Sequence, residues 1–121
     1  MANELKVAIV GAAGGIAGTH IEAIGGYPEL RLAGMCDVVP DPMRERAEKA
    51  GCPVFSAWGE MFRAVKPDIV SVCTPHPLHP DIAVDAMEAG AHVLTEKPMA
   101  VDVASADRMI AASERTGRLL A

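Results

Sequence analysis

Aromatic side chains are nearly absent: Tyr27, Phe55, Trp58 and Phe62 are the only ones among 121 residues. A core without rings has to be assembled from Ala, Val, Ile, Leu and Met. That is the composition of helices packed on a parallel sheet, and it argues against an all-β sandwich. Positive charge is also thin. The formal net charge is −5 with no cluster of Lys or Arg, so a surface that neutralises a row of phosphates is not supported and small molecules are the expected partners. No run of 18 apolar residues occurs, which excludes a membrane-spanning helix. The three cysteines, Cys36, Cys52 and Cys73, are odd in number and widely spaced. They read as reduced core thiols rather than a disulfide framework or a zinc site, which points to the cytoplasm and to no bound metal. The stretch Val7 to Gly18 imitates the apolar centre of a signal peptide, but Glu4 precedes it and its glycines and alanines favour a turn.

What is present suits one compact domain: 50% of the chain is apolar, enough for a continuous core. Apolar β-branched runs alternate with helical segments. Leu5 to Val10 reads as a strand ending at glycine, Gly15 to Ile24 as a small-residue helix closed by Gly25-Gly26, and Leu30 to Cys36 as a second strand. Asp41 is a candidate cap, with Pro42 at the first helical position, for a helix running to about Ala50 and stopped by Gly51. Val54-Phe55 is a short strand and Ser56 opens a helix to about Val65. After the break at Pro67-Asp68, Ile69 to Cys73 is apolar enough to be buried on both faces. Asp81 to Ala89 is helical, Ala91 to Thr95 is a strand, and Asp102 caps a last helix with an expected inner stripe of Ala106, Met109, Ile110 and Ser113, ending at Gly117. Strand and helix alternating in this way predict an α/β fold with a doubly wound, Rossmann-like parallel sheet.

Ligands of such sheets lie beyond the carboxyl ends of the strands, so the informative residues are Gly11, Ala13, Gly14, Gly15, Ile16, Asp37, Thr74 to His79, and Glu96 to Pro98. In "GAAGGIAG", Gly11, Gly14 and Ala17 recur every three residues between a strand and a helix. A diphosphate must touch backbone N–H groups there, so side chains must be missing from the turn, and a small residue one turn later lets the helix lie on the sheet. The first gap holds one residue more than the G-x-G-x-x-G/A fingerprint, which leaves open which amides would meet a phosphate. The plainer alternative is a Gly/Ala-rich packing turn. Asp37 follows 20 residues after Ala17 at the end of the second strand, where its carboxylate can accept hydrogen bonds from both ribose hydroxyls and repel a 2′-phosphate. NAD is therefore expected over NADP. Arg44 and Arg46 could bear on that preference, or simply occupy the exposed face of the next helix. In "EKP", lysine supplies a movable cationic donor and glutamate can bind ribose or hold the lysine. Elsewhere the same triplet is an ordinary surface turn.

Taken together, "VAIVGAAGGIAGTH", "GMCD", "IVSVCTPHPLHPDIAVDAMEAGAHVLTEKPMA" and "AASERTGRLL" resemble the Gfo/Idh/MocA oxidoreductases, named for glucose-fructose oxidoreductase and inositol dehydrogenase. The resemblance covers essentially the whole chain. It implies an N-terminal NAD(P)-binding domain spanning 1–121, in which Lys97 is catalytic and touches nicotinamide and substrate. Glu96 and Pro98 would shape that site across a Lys97-Pro98 bond that is often cis. It also implies that Thr74, Pro75 and His79 line the nicotinamide-ribose side and that Asp37 holds the adenosine ribose. His76 departs from the usual asparagine. His20 matches a family histidine, for which a packed or capping role is expected, and His92 is expected to be structural. In the family the chain continues into another strand and a second, sheet-rich domain that supplies most of the substrate pocket and a histidine–aspartate pair. Leu119-Leu120-Ala121 looks like the first half of that strand, so a fragment of a longer enzyme is expected, inactive alone. The implied reaction is hydride transfer between NAD(P) and a sugar, cyclitol or similar polyol, in a parent enzyme expected to be a homo-oligomer. The alternative is a non-catalytic nucleotide-binding or regulatory module.

Overall fold

The computed structural model describes residues 4–121, in which β1 (Leu5–Val10), β2 (Leu30–Cys36), β3 (Val54–Phe55), β4 (Ile69–Val72) and β5 (His92–Thr95) form one sheet. The strand order is β3-β2-β1-β4-β5 and every pairing is parallel. The chain winds outward from β1 to β3, then returns to the other side of β1 for β4 and β5. The winding therefore reverses between β1 and β4, and the loops leaving these two strands diverge there to open a crevice.

β1 is central because it can be buried on both faces. Val7 and Ile9 pack with Ala17 and Ile24 of α1 (Gly15–Gly25) and Met43 and Ala47 of α2 (Met43–Ala50). Ala8 and Val10 point the other way, into a cluster with Met61 and Phe62 of α3 (Trp58–Val65), Ile82, Ala83 and Met87 of α4 (His79–Glu88), and Met109 of α5 (Val103–Thr116). Each buried Val, Ile, Met or Phe side chain among these, removed from water, stabilises the fold by about 1.5–3 kcal/mol. With only four Phe, Tyr and Trp side chains in the chain, methionine fills the core: Met35, Met61, Met87 and Met109 are all fully buried.

Strand limits follow the expected ones closely, while four helix details differ. Asp41 does not cap α2. Pro42 itself occupies the N-cap position, the Asp41-Pro42 bond is cis, and the first turn is met by backbone, with Arg44 N–H donating to Pro40 O at 2.9 Å. α3 starts at Trp58 rather than Ser56, after Ala57 in an extended conformation. α4 starts at His79, two residues before Asp81, because Pro80 fits the first helical turn and a 3-10 turn over His76–Leu78 leads into it. Asp102 does cap α5, accepting from Ser105 N–H at 2.7 Å, but Ile110 is 46% exposed and Ala112 is buried in its place. Met109 and Ala112 face α4, and one position on from Met109 the helix has already turned to solvent. Leu119 to Ala121 continue the sheet beyond β5: Leu120 bridges Val93, and Val93 and Thr95 donate to Leu119 O and Ala121 O at 2.9 and 2.8 Å. His92 is structural as expected, its Nδ1 accepting from Leu119 N–H at 2.9 Å.

Candidate nucleotide-binding site

At the carboxyl end of β1 the chain turns under β4. Gly11 has φ +87°, and a Cβ there would lie 2.6 Å from Cys73 C and Thr74 N, so no other residue fits. The turn is closed by its own backbone. Gly11 and Ala12 donate to Cys36 O at 2.8 and 3.1 Å, and Gly14 donates to Gly11 O at 3.1 Å. Gly14 is the extended N-cap of α1, and a side chain at Gly15 would meet open space. Gly15 and Ile16 are exposed there, and first-turn amides have no acceptor within their helix. Ala17 is completely buried, which brings α1 against the sheet.

Asp37, half-buried at the end of β2, is tied to this turn. Its Oδ2 accepts from Ala13 N–H at 2.9 Å and its Oδ1 from Val39 N–H at 3.0 Å, which leaves lone pairs on both oxygens. Ala13, in the lengthened gap of the glycine turn, thus supplies a donor that orients the carboxylate. A groove of about 420 Å³ runs past these groups, lined by Gly11, Ala13, Gly14, Asp37, Val38, Trp58, Thr74, Pro75 and Leu78. Its floor is inert: burial, with the Asp37 charge adding to it, pushes the Cys36 thiol up to about 11, and burial with the Glu96 charge pushes Cys73 to about 12. Thr74 Oγ1 is buried in this wall without a hydrogen-bond partner. A bare turn beside open space, an oriented carboxylate and an orphaned hydroxyl together fit a dinucleotide.

The residues after β4 and β5 divide differently. Pro75 lines the groove, whereas His76 is exposed and its ring meets that of His79 edge-on, centroids 5.7 Å apart. His79, expected along the ribose side, is fully buried behind the site: its Nδ1 lies 3.0 Å from Pro98 O and its Nε2 2.8 Å from Thr74 O. It joins the two loops, its ring N–H donating to one of these carbonyls, and complete burial seals it from the groove. The Lys97-Pro98 bond is cis, and Lys97 is exposed and lines neither this groove nor the neighbouring cavity. Glu96 faces that second cavity of about 390 Å³, with Tyr27, Ile69, Ser71 and Leu94. There it pairs with His20 on α1 at 2.8 Å, a role beyond the packed or capping one expected for that histidine. The hydrogen bond from His20 is the main reason the Glu96 carboxyl is held below its ordinary value.

The profile of the oxidoreductase family with an NAD-binding Rossmann fold matches residues 5–121. The chain belongs to the Gfo/Idh/MocA family. It is 37% identical to the D-glucoside 3-dehydrogenase of Escherichia coli K12 over 97% of this chain and 34% of that protein. It is 35% identical to the inositol 2-dehydrogenase of Streptomyces avermitilis over its whole length and 36% of that enzyme. The fold superposes on the WlbA dehydrogenase of Chromobacterium violaceum, solved with NADH and UDP-GlcNAcA, with a TM-score of 0.92 and 31% identity over 98% of this chain and 34% of that one. GenD2 of gentamicin A biosynthesis, solved with NAD, gives 0.93 and 30% over all of this chain and 34% of that one. The chain thus spans about a third of the length of these Gfo/Idh/MocA relatives.

One contact escaped the sequence reading of this family member. Arg46, expected either to bear on the NAD preference or to occupy the exposed helix face, is half-buried and reaches from α2 under the glycine turn, its Nη1 donating to Ala12 O at 2.8 Å and Gly14 O at 2.7 Å. The signal was its place beside the buried Ala47, opposite the side-chain-free Gly18. Arg44 is exposed, as expected. The described residues include no helix long and apolar enough to cross a membrane, and among them no cluster of His, Cys, Asp and Glu suited to a metal. All three cysteines are free.

Proposed function

We propose that this chain is the NAD-binding domain of a dehydrogenase that moves hydride between NAD and a hydroxyl of a sugar, cyclitol or similar polyol. The observation that carries the reading is the meeting, at the switch point of the sheet, of the bare Gly11–Gly14 turn, the Asp37 carboxylate and the unpartnered Thr74 hydroxyl. The amides of Gly15 and Ile16, at the positive end of α1, would hold the diphosphate. Asp37 would take the adenosine ribose hydroxyls, and Thr74 and Pro75 would border the second ribose. When bound, the nicotinamide supplies the redox chemistry. Lys97 and Pro98, beside Glu96, would border its reactive end, Lys97 serving as the movable proton donor to the substrate oxygen. The substrate domain would lie outside these residues. The three free thiols favour a cytoplasmic protein. The homo-oligomer expected of the longer enzyme rests on the family resemblance.

NAD is preferred because a 2′-phosphate beside Asp37 would bring two anions within about 4 Å, a repulsion on the order of 1–4 kcal/mol at that distance. Calorimetric titration of the chain should therefore give NADH binding at least about tenfold tighter than NADPH binding. Failure to bind either nucleotide refutes the proposal. Lys97→Ala should leave NADH affinity within about threefold, well under one strong contact, while abolishing turnover in the longer enzyme. Equal loss of both contradicts the assigned role. A nucleotide-binding module without chemistry is the second reading, favoured by one observation: Lys97 is exposed and lines neither cavity.

A further inference from the structure

The lengthened glycine turn has no free amide of its own. Gly11 and Ala12 N–H donate to Cys36 O, Ala13 N–H to Asp37 Oδ2 and Gly14 N–H to Gly11 O. The donors left for an anion are those of the first turn of α1, so the direction in which Gly15 N–H points decides how well a diphosphate is met. A peptide unit is planar and trans, and its C=O and N–H point in opposite directions. The Gly14 C=O, which shares its plane with Gly15 N–H, is fixed by Arg46 Nη1 at 2.7 Å. The Ala12 C=O, which shares its plane with Ala13 N–H, is fixed by the same nitrogen at 2.8 Å. One guanidinium nitrogen therefore turns two carbonyls toward α2 and aims two amides the other way, Ala13 N–H at the Asp37 carboxylate and Gly15 N–H away from Arg46. Room for it is made by Gly18, where a Cβ would sit 3.3 Å from Arg46 Nη2.

We propose that Arg46 is a positioning residue for nucleotide binding, setting the orientation of the phosphate-facing amide and of the ribose-facing carboxylate without touching the ligand. The inference rests on the NAD-binding reading above. Its location on the turn's far side also places a positive charge near the diphosphate, and contributes no side chain to the groove.

The test uses this chain, and compares Arg46→Met with Arg44→Met, which removes the same charge from an exposed position on the same helix. Arg46→Met should weaken NADH by roughly tenfold or more, the order expected for one charge-assisted contact, and weaken adenosine, which meets Asp37 through its ribose but carries no phosphate, by a smaller factor of about threefold. Arg44→Met should change neither. In amide exchange spectra without ligand, Ala13 N–H should lose protection in Arg46→Met alone. Should that variant not fold, Gly18→Val, which crowds the guanidinium from α1, is expected to give the same losses with a native circular dichroism spectrum. Equal effects of the two arginine substitutions, or unchanged NADH affinity with an unchanged Ala13 amide, would overturn the assignment. If the unsubstituted chain binds no NADH, the NAD-binding reading fails, and the amide exchange result still decides whether Arg46 orients the turn.

Discussion

The glycine turn and the Glu96-Lys97-Pro98 loop both leave parallel strands at the same edge of the sheet, yet they are held by different means. Around the turn, backbone meets backbone. Gly11 lies too close to Cys73 and Thr74 for any side chain, Cys36 O takes two amides, and Asp37 and Arg46 fasten what remains. The loop has a thinner lattice, with Glu96 N–H donating to Val72 O at 3.0 Å and Thr95 Oγ1 to Glu96 O at 3.2 Å. Its shape depends on two histidines from other elements, His79 on Pro98 O and His20 on Glu96, and Lys97 itself stands in solvent. A region that must present amides to a fixed anion gains from rigidity, because misaimed donors lose most of their strength. For the proton delivery proposed for Lys97, a side chain left free to move is an advantage.

Four measurements test this contrast. The largest effect is expected for Gly11→Ala, since a positive φ and a backbone clash act together: stability in urea should fall by about 4 kcal/mol. A loss under about 1 kcal/mol would mean the turn yields, removing the asserted rigidity. His79→Ala should cost about 3 kcal/mol by the same assay, from the cavity and the abandoned hydrogen bond. A neutral result would show that the loop is held otherwise.

Smaller changes are expected in binding. Asp37→Asn keeps the shape and the Ala13 contact but removes the charge, so NADH should weaken by about tenfold and its advantage over NADPH should narrow in calorimetry. An unaltered ratio would detach Asp37 from nucleotide choice. The smallest effect belongs to His20→Ala. Because the hydrogen bond from His20 lowers the Glu96 carboxyl from 4.5, the folded chain binds that proton less readily than the unfolded chain. The pair's contribution is therefore present above about pH 4.5 and is lost as pH falls through the lower folded value. The stability gap between His20→Ala and the unsubstituted chain should shrink as pH falls below about 4.5. A gap that widens in acid would contradict the sign.

The contrast also explains what was readable in advance. Gly11, Gly14, Ala17 and Asp37 announce the turn because the constraint is written into missing or short side chains at fixed distances along the chain. The same holds for Asp102 before α5, a cap acting three residues away. Asp41 misled, since an acidic residue before proline looks like a cap while the backbone at Pro40 and Pro42 had already met the first turn of α2. Ile110 misled because the face of α5 that is buried depends on where α4 lies, not on hydrophobicity alone.

Local pattern was enough to specify the order of strands and helices, the doubly wound sheet and the sheet edge that gathers the glycine turn, Asp37 and Thr74, because alternation and turn chemistry act over a few residues. Packing alone decided that Arg46 would reach carbonyls 32 and 34 positions away, that His20 would find Glu96 across 76, and that His79 would be walled in rather than exposed. Such contacts require two separately formed elements to be docked to within a fraction of an ångström, and no short-range rule carries that information.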